Sequence, residues 1–170
     1  IMGGEMRDHE TAAMGVEASL TGHLVFSTLH TNSAPETITR LLDMDLDPFS
    51  FSDALLVVVA QRLARRLCSK CKESYPGEAH EREELQRYYG NDDLAEAISG
   101  DSFEMWRAPG CRHCGERGYK GRLGIHEVLV NSVELSQAIL KKAAVHDIRM
   151  LALKQGMRTL LQDGIMKSLR

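Results

Sequence analysis

The sequence predicts an α/β chain with a small metal-bound insert and a helical C-terminal part. Three observations carry this. Apolar residues recur at helical spacing over Asp8–Leu20 and again from Val133 to the end. Short apolar runs, "HLVFSTLH", "AQRLARRLC" and "IHEVLV", read as strands. Two Cys-x-x-Cys pairs, Cys68/Cys71 and Cys111/Cys114, bracket a long polar stretch.

The elements follow in order. "IMGGEMRDHE" reads as the end of a buried strand running into a polar loop. Asp8 then caps a helix whose Ala12, Ala13, Val16 and Leu20 share one face, and Gly22 ends it. "HLVFSTLH" is a short strand, buried on both faces if central in a sheet. Ser33, Pro35 and Glu36 make a capping box with an early proline. The helix they start runs to about Met44, with Ile38, Leu41 and Leu42 inward. Asp47-Pro48 breaks it, and a second helix is predicted from about Phe49 to Val59. "AQRLARRLC" alternates apolar and basic residues and leads into the first cysteine pair. Residues 72–110 are polar and charged, with short amphipathic helices at best. After the second pair, "GERGYKGRLG" is a glycine-rich turn ahead of the strand "IHEVLV". In the C-terminal helices Ile139, Leu140, Ile148, Leu151, Leu153, Leu160 and Leu161 are the core candidates.

Composition narrows the function classes. The 170 residues are 43% apolar and 26% charged, which is ordinary globular composition. A net charge of −3 gives no bulk basicity for nucleic acid. The longest apolar run, Ala54–Ala60, falls far short of the ~20 residues that a membrane span needs. Ile1–Gly4 lacks the basic start and apolar core of a secretory signal, so a cytoplasmic location is expected. Two Cys-x-x-Cys pairs are also the wrong pattern for a disulfide framework.

The cysteines have a direct chemical reading. Two cysteines two residues apart can aim both sulfurs at one ion from a tight turn, and two such knuckles complete a tetrahedron. Zinc is favoured, with rubredoxin-type iron and a redox pair as the other readings. A closed four-sulfur site leaves no position for water, so the metal staples the insert and does no chemistry. His113, between two ligands, reads as solvated. Glu5 follows an apolar segment. A carboxylate at the C-terminal end of an α/β strand lies where ligands bind, and can orient a water or hold magnesium. The plain alternative is a solvated loop charge. His23 and His30 stand at the two ends of one strand, too far apart to ligate one metal as a pair.

"GGEMRDHETAAMGVEASLTGHLVFSTLHTNSAPETITRLLDM" resembles the secretion-ATPase superfamily, the hexameric motors of type II secretion and type IV pilus assembly. In that family a Walker B segment ends in a glutamate within GE-[I/M]-RD-x-ETA, and a histidine box reads TGHLV-x-[S/T]TLHTN. The tetracysteine element "LCSKC…GCRHCGERGYKGRLGIHEVL" is similar to that of its assembly and secretion branch. The resemblance covers residues 3–170 and implies the C-terminal part of a RecA-like P-loop ATPase domain. By position it implies that Glu5 orients the hydrolytic water, that His23 and His30 lie near the γ-phosphate or a subunit interface, and that Arg7 and Asp8 belong to the nucleotide-binding loop. Gln61, Arg62 and Leu63 match the family's QRL, and Gly121, Arg122, His126 and Glu127 its GR-x-G-x-HE strand. Gly4 departs from the pattern, standing where the family carries an apolar residue.

The implied organisation is the ATPase core over residues 1–67, the tetracysteine insert with Cys68, Cys71, Cys111 and Cys114 over 68–120, and a returning strand and helices over 121–170. Implied cofactors are structural Zn2+, with ATP and Mg2+ in the intact protein. Implied partners are five further copies in a hexamer and the inner-membrane platform and cytoplasmic adaptor proteins of the machine, with no nucleic acid. Location would be cytoplasmic, peripheral to the inner membrane through those partners. No G-x-x-x-x-G-K-[S/T] occurs, so the 170 residues are expected to begin inside a nucleotide-binding fold and to be inactive alone. The alternative reading is a stand-alone zinc-binding interaction module or a non-catalytic adaptor.

Overall fold

Capping chemistry places the first helices. In a computed structural model, which describes residues 1–90, 98 and 103–169, helix α1 (His9–Leu20) begins where the Asp8 carboxylate accepts the Thr11 amide at 2.9 Å. Helix α2 (Ala34–Asp43) begins at Ser33, whose hydroxyl accepts the Glu36 amide. The Glu36 carboxylate does not close the box on Ser33; it takes the amide of Asn32 at 3.2 Å. Helix α3 (Pro48–Ala54) is capped by Asp47. It is shorter than the sequence suggests. Its end is fixed by Leu55 turning to extended backbone, after which the β-branched run Val57–Val59 enters strand β1 (Val57–Leu67).

Strand β1 pairs with β4 (Tyr119–Val130). Backbone bonds from Asn131 to Leu56 and from Cys68 to Gly118, both 2.9 Å, fix the two ends of the ribbon and make it antiparallel. Strand β4 therefore starts inside the stretch expected to be a turn. Between the two strands lie β2 (Glu73–Pro76), α4 (Ala79–Tyr89), β3 (Glu104–Arg107) and one 3-10 turn at Arg112–Cys114. The antiparallel β2–β3 pair, Glu73 opposite Arg107 through Pro76 opposite Glu104, was not legible as strands in so polar a stretch. Helices α5 (Val133–Leu140), α6 (Val145–Lys154) and α7 (Leu160–Ser168) follow.

The chain forms two compact units. The first comprises residues 1–60 and 127–157. Its core joins α2, α3, α5 and α6 through residues such as Ile38, Phe51, Leu135, Ile139 and Ile148. Each such side chain contributes about 1.5–3 kcal/mol by leaving water. Residues 24–28 do not form the doubly buried strand expected. They pair only with residues 1–6 among the described residues, through one parallel bridge at Met2–Phe26, and Leu24 and Phe26 are more than half exposed. Ile1 and Met2 are exposed as well. Leu20, expected inward, is also exposed, at the last residue of α1.

The second unit comprises residues 61–126 and 158–170. Helix α4 packs on α7, with Tyr89, Ile98, Phe103 and Ile165 as its core. Gly77 is required beneath Phe103, because a Cβ there would fall 2.4 Å from the ring. Of the C-terminal core candidates, Ile139 and Ile148 are buried in the first unit, whereas Leu140 there and Leu161 here face solvent.

Candidate functional site

Glu5 is held by residues from two separate motifs. Three backbone bonds align residues 1–6 with 26–28: Phe26 to Ile1, Gly3 to Phe26 and Met6 to Thr28, at 2.8–3.0 Å. The Thr28 hydroxyl adds a bond to the Gly4 carbonyl at 2.8 Å. This alignment puts His30 beside Glu5. His30 Nε2 lies 2.8 Å from Glu5 Oε1, and Arg7 Nε donates to Glu5 Oε2 at 2.5 Å. Glu5 is only 18% exposed, while His30 and Arg7 extend into solvent at 88% and 76%. A carboxylate fixed on both oxygens at the edge of water is suited to orienting a water molecule. A Cβ at Gly4 would meet nothing within 4 Å.

The other two candidates lie apart from this cluster. The His23 ring Nδ1 lies 3.2 Å from the Ala18 carbonyl and 3.3 Å from Thr21 Oγ1, at the end of α1. Asp8 is occupied as a cap: the Thr11 amide and hydroxyl, at 2.9 and 2.8 Å, hold its carboxyl below the usual range.

The four cysteines converge. Their sulfurs all lie within 4.8 Å of one another, with Cys111–Cys114 at 3.8 Å, Cys71–Cys114 at 3.9 Å and Cys68–Cys111 at 4.0 Å. Four thiolates at ~2.3 Å around a tetrahedral ion have edges of about 3.8 Å, so this set can hold a metal ion. The amides of Cys111 and Gly118 each donate to Cys114 Sγ at 3.2 Å. Gly118 must be glycine: its φ is +74°, and a Cβ would lie 2.4 Å from the Ala108 carbonyl oxygen. Burial pushes the Cys114 thiol up, but these two amides, with the Cys111 and Cys71 thiols, reverse it and bring it to about 6. Burial and the neighbouring Cys111 thiol push Cys71 up to about 12. His113, exposed between two of the cysteines, brings its carbonyl rather than its ring into play, accepting from Lys120 Nζ at 3.1 Å.

Two positioning groups have roles that the sequence reading did not assign. Glu127, 4% exposed, accepts the Ala34 amide at 2.7 Å and so satisfies the start of α2 from 93 residues away. In the second unit Asp163 accepts the His126 amide at 2.8 Å and Lys167 Nζ at 2.5 Å. The only sequence signal for the latter was the i,i+4 spacing of Asp163 and Lys167.

Comparisons with known proteins show the family to which the chain belongs. The family model described as "Type II/IV secretion system protein" matches residues 1–170. The chain is 46% identical over 171 residues to the type IV pilus assembly ATPase PilB of Thermus thermophilus, covering all of this chain and 18% of that protein. It is 46% identical over 143 residues to the type II secretion system ATPase E of Vibrio cholerae, covering 84% of this chain and 26% of the relative. It is 42% identical over 164 residues to the type II secretion system protein HxcR of Pseudomonas aeruginosa, covering 96% and 29%. The chain thus spans less than a third of each of these relatives. The Legionella pneumophila ATPase DotB superposes with a TM-score of 0.58 at 22% identity, over 98% of this chain and 34% of that one, which shows a shared fold.

Proposed function

Since the chain belongs to the type II/IV secretion system protein family, we propose that it is the C-terminal portion of a hexameric motor ATPase that powers type II secretion or type IV pilus assembly. In that reading residues 1–67 are the C-terminal half of a RecA-like core, 68–120 the zinc-binding insert, and 121–170 the returning strand and helices. The observation that carries it is the convergence on Glu5 of Arg7, from its own motif, and His30, from the histidine box. Glu5 is assigned the orientation of the attacking water, and His30 and Arg7 its positioning. Asp8 holds the nucleotide-binding loop to α1 by its cap, and His23 acts at the subunit interface, being bonded to the end of α1 instead of to Glu5.

ATP with Mg2+ would supply the phosphoryl group and the charge neutralisation that its transfer needs. The loop that binds those phosphates is proposed to lie in the remainder of the motor, because these residues contain no G-x-x-x-x-G-K-[S/T]. Zinc is proposed for the four cysteines on their sulfur spacing and closed ligand set. The stapled insert would serve as a coupling part toward the platform and adaptor proteins at the cytoplasmic side of the inner membrane. Among the described residues no helix is long and apolar enough to cross a membrane.

Mg2+-dependent ATP hydrolysis by the intact motor, compared with the 170 residues alone, tests the reading. Turnover by the first and none by the second is expected. Turnover by neither, in a hexameric and nucleotide-bound preparation, would leave the adaptor reading.

A further inference from the structure

The chain's net charge conceals a strongly basic cluster around the cysteines, whose β1 members Arg65 and Arg66 project to the two sides of the ribbon. Residues 61–72 and 107–122 contain ten of the 21 lysines and arginines but only one of the 24 acidic residues, Glu116. The pairing of β1 with β4 and the convergence of the four sulfurs bring these two segments together. All ten basic residues are exposed. Among the described residues, Arg107 is paired with Glu73, whereas Arg65, Arg66, Lys70, Arg112 and Arg122 have no carboxylate partner. Two further cations are fixed onto the second knuckle: Arg117 Nε donates to the Cys114 carbonyl and Lys120 Nζ to that of His113. So many like charges on one ribbon repel one another, and an anionic partner relieves that repulsion.

We propose that this basic cluster, at the cysteine end of the β1–β4 ribbon, docks a carboxylate-rich segment of a partner protein. Seven of the ten cations are arginines, whose planar forks pair with carboxylates in bidentate fashion. They are spread over three strands and two knuckles, not along an amphipathic helix of the kind that lies on membranes. The aromatic rings in the cluster are each covered on one side: Arg65 lies 4.3 Å over Tyr119 and Lys72 lies 3.9 Å over Trp106. That leaves neither the Tyr nor the Trp ring open on that side to stack on nucleic-acid bases or to anchor in a lipid interface. The proposal rests on the coupling role given to the insert and names the chemistry of what it couples to.

The test uses the zinc-loaded 170-residue chain and a fluorescein-labelled oligoglutamate peptide, with phosphatidylglycerol vesicles and duplex DNA as rival probes. The peptide is expected to bind at low salt and to weaken about tenfold on moving to physiological salt. The Arg65→Glu/Arg122→Glu variant should weaken it at least about tenfold further while keeping its zinc and its circular dichroism. Should that pair lose the metal, Lys70→Glu/Arg112→Glu reads the same cluster. Failure of the peptide to bind, binding untouched by the metal-retaining variant, or tighter binding of vesicles or DNA through the same residues would each overturn the proposal. The measurement needs no nucleotide, so its failure and the failure of the motor reading are separate results.

Discussion

Three carboxylates of this chain show how environment divides one chemistry. Asp8 is a local cap, legible in the sequence because its partner, Thr11, lies in the next turn. Glu5 is legible as a motif, but its contact with His30 is not, because that contact depends on a strand alignment that the apolar pattern only suggests. Glu127 could be read as part of a family pattern, yet its work, holding the Ala34 amide, was hidden by 93 residues of separation. Replacing Glu127 with Ala should cost about 2–3 kcal/mol in chemical denaturation, since it strips a buried amide of its acceptor. Gln, which keeps the acceptor oxygen, should recover about half of that. At the metal site, Gly118→Ala should lower zinc affinity by displacing the amide that donates to Cys114, read by competition with a chromogenic chelator.

At the scale of elements, helix starts were legible and strand boundaries were not. Ser33 announces α2 through a local side-chain bond, so its cap appears where the sequence puts it, and Asp47, read as the end of one helix, also caps the next. The Val57–Val59 run is helical or extended by apolar pattern alone, and only pairing with β4, some seventy residues on, decides for β1. Helix α7 has a pH signature. Burial alone would raise the Asp163 carboxyl, but Lys167 and the His126 amide hold it below its usual value. A depressed folded value means stability that is present above the unfolded value of about 3.9 and is lost as pH falls through the folded one. Asp163→Asn should therefore be less stable than the parent by about 1–2 kcal/mol at neutral pH, from its weakened charge-assisted bonds. In pH-dependent urea denaturation the gap should close as acid protonates the parent's carboxyl below about pH 4.

Across the whole molecule, the cysteine pairs announced four sulfurs that can hold a metal, but composition concealed the basic cluster by averaging it with an acidic remainder. Counting charge in windows, not over the chain, would have found it. Zinc binds the four cysteines as thiolates, so ligation must expel protons, and zinc affinity should rise steeply from about pH 6 to pH 8. Chelation at neutral pH should lower the melting temperature, and zinc should restore it. The central claim, that Glu5 orients the attacking water of an ATP-driven motor, is tested most directly by the turnover number of the intact motor carrying Glu5→Gln. The expected result is a fall of about 10²–10⁴-fold with nucleotide binding and hexamer formation retained. Turnover within about twofold of the parent, far inside the range that general-base loss produces, would contradict it.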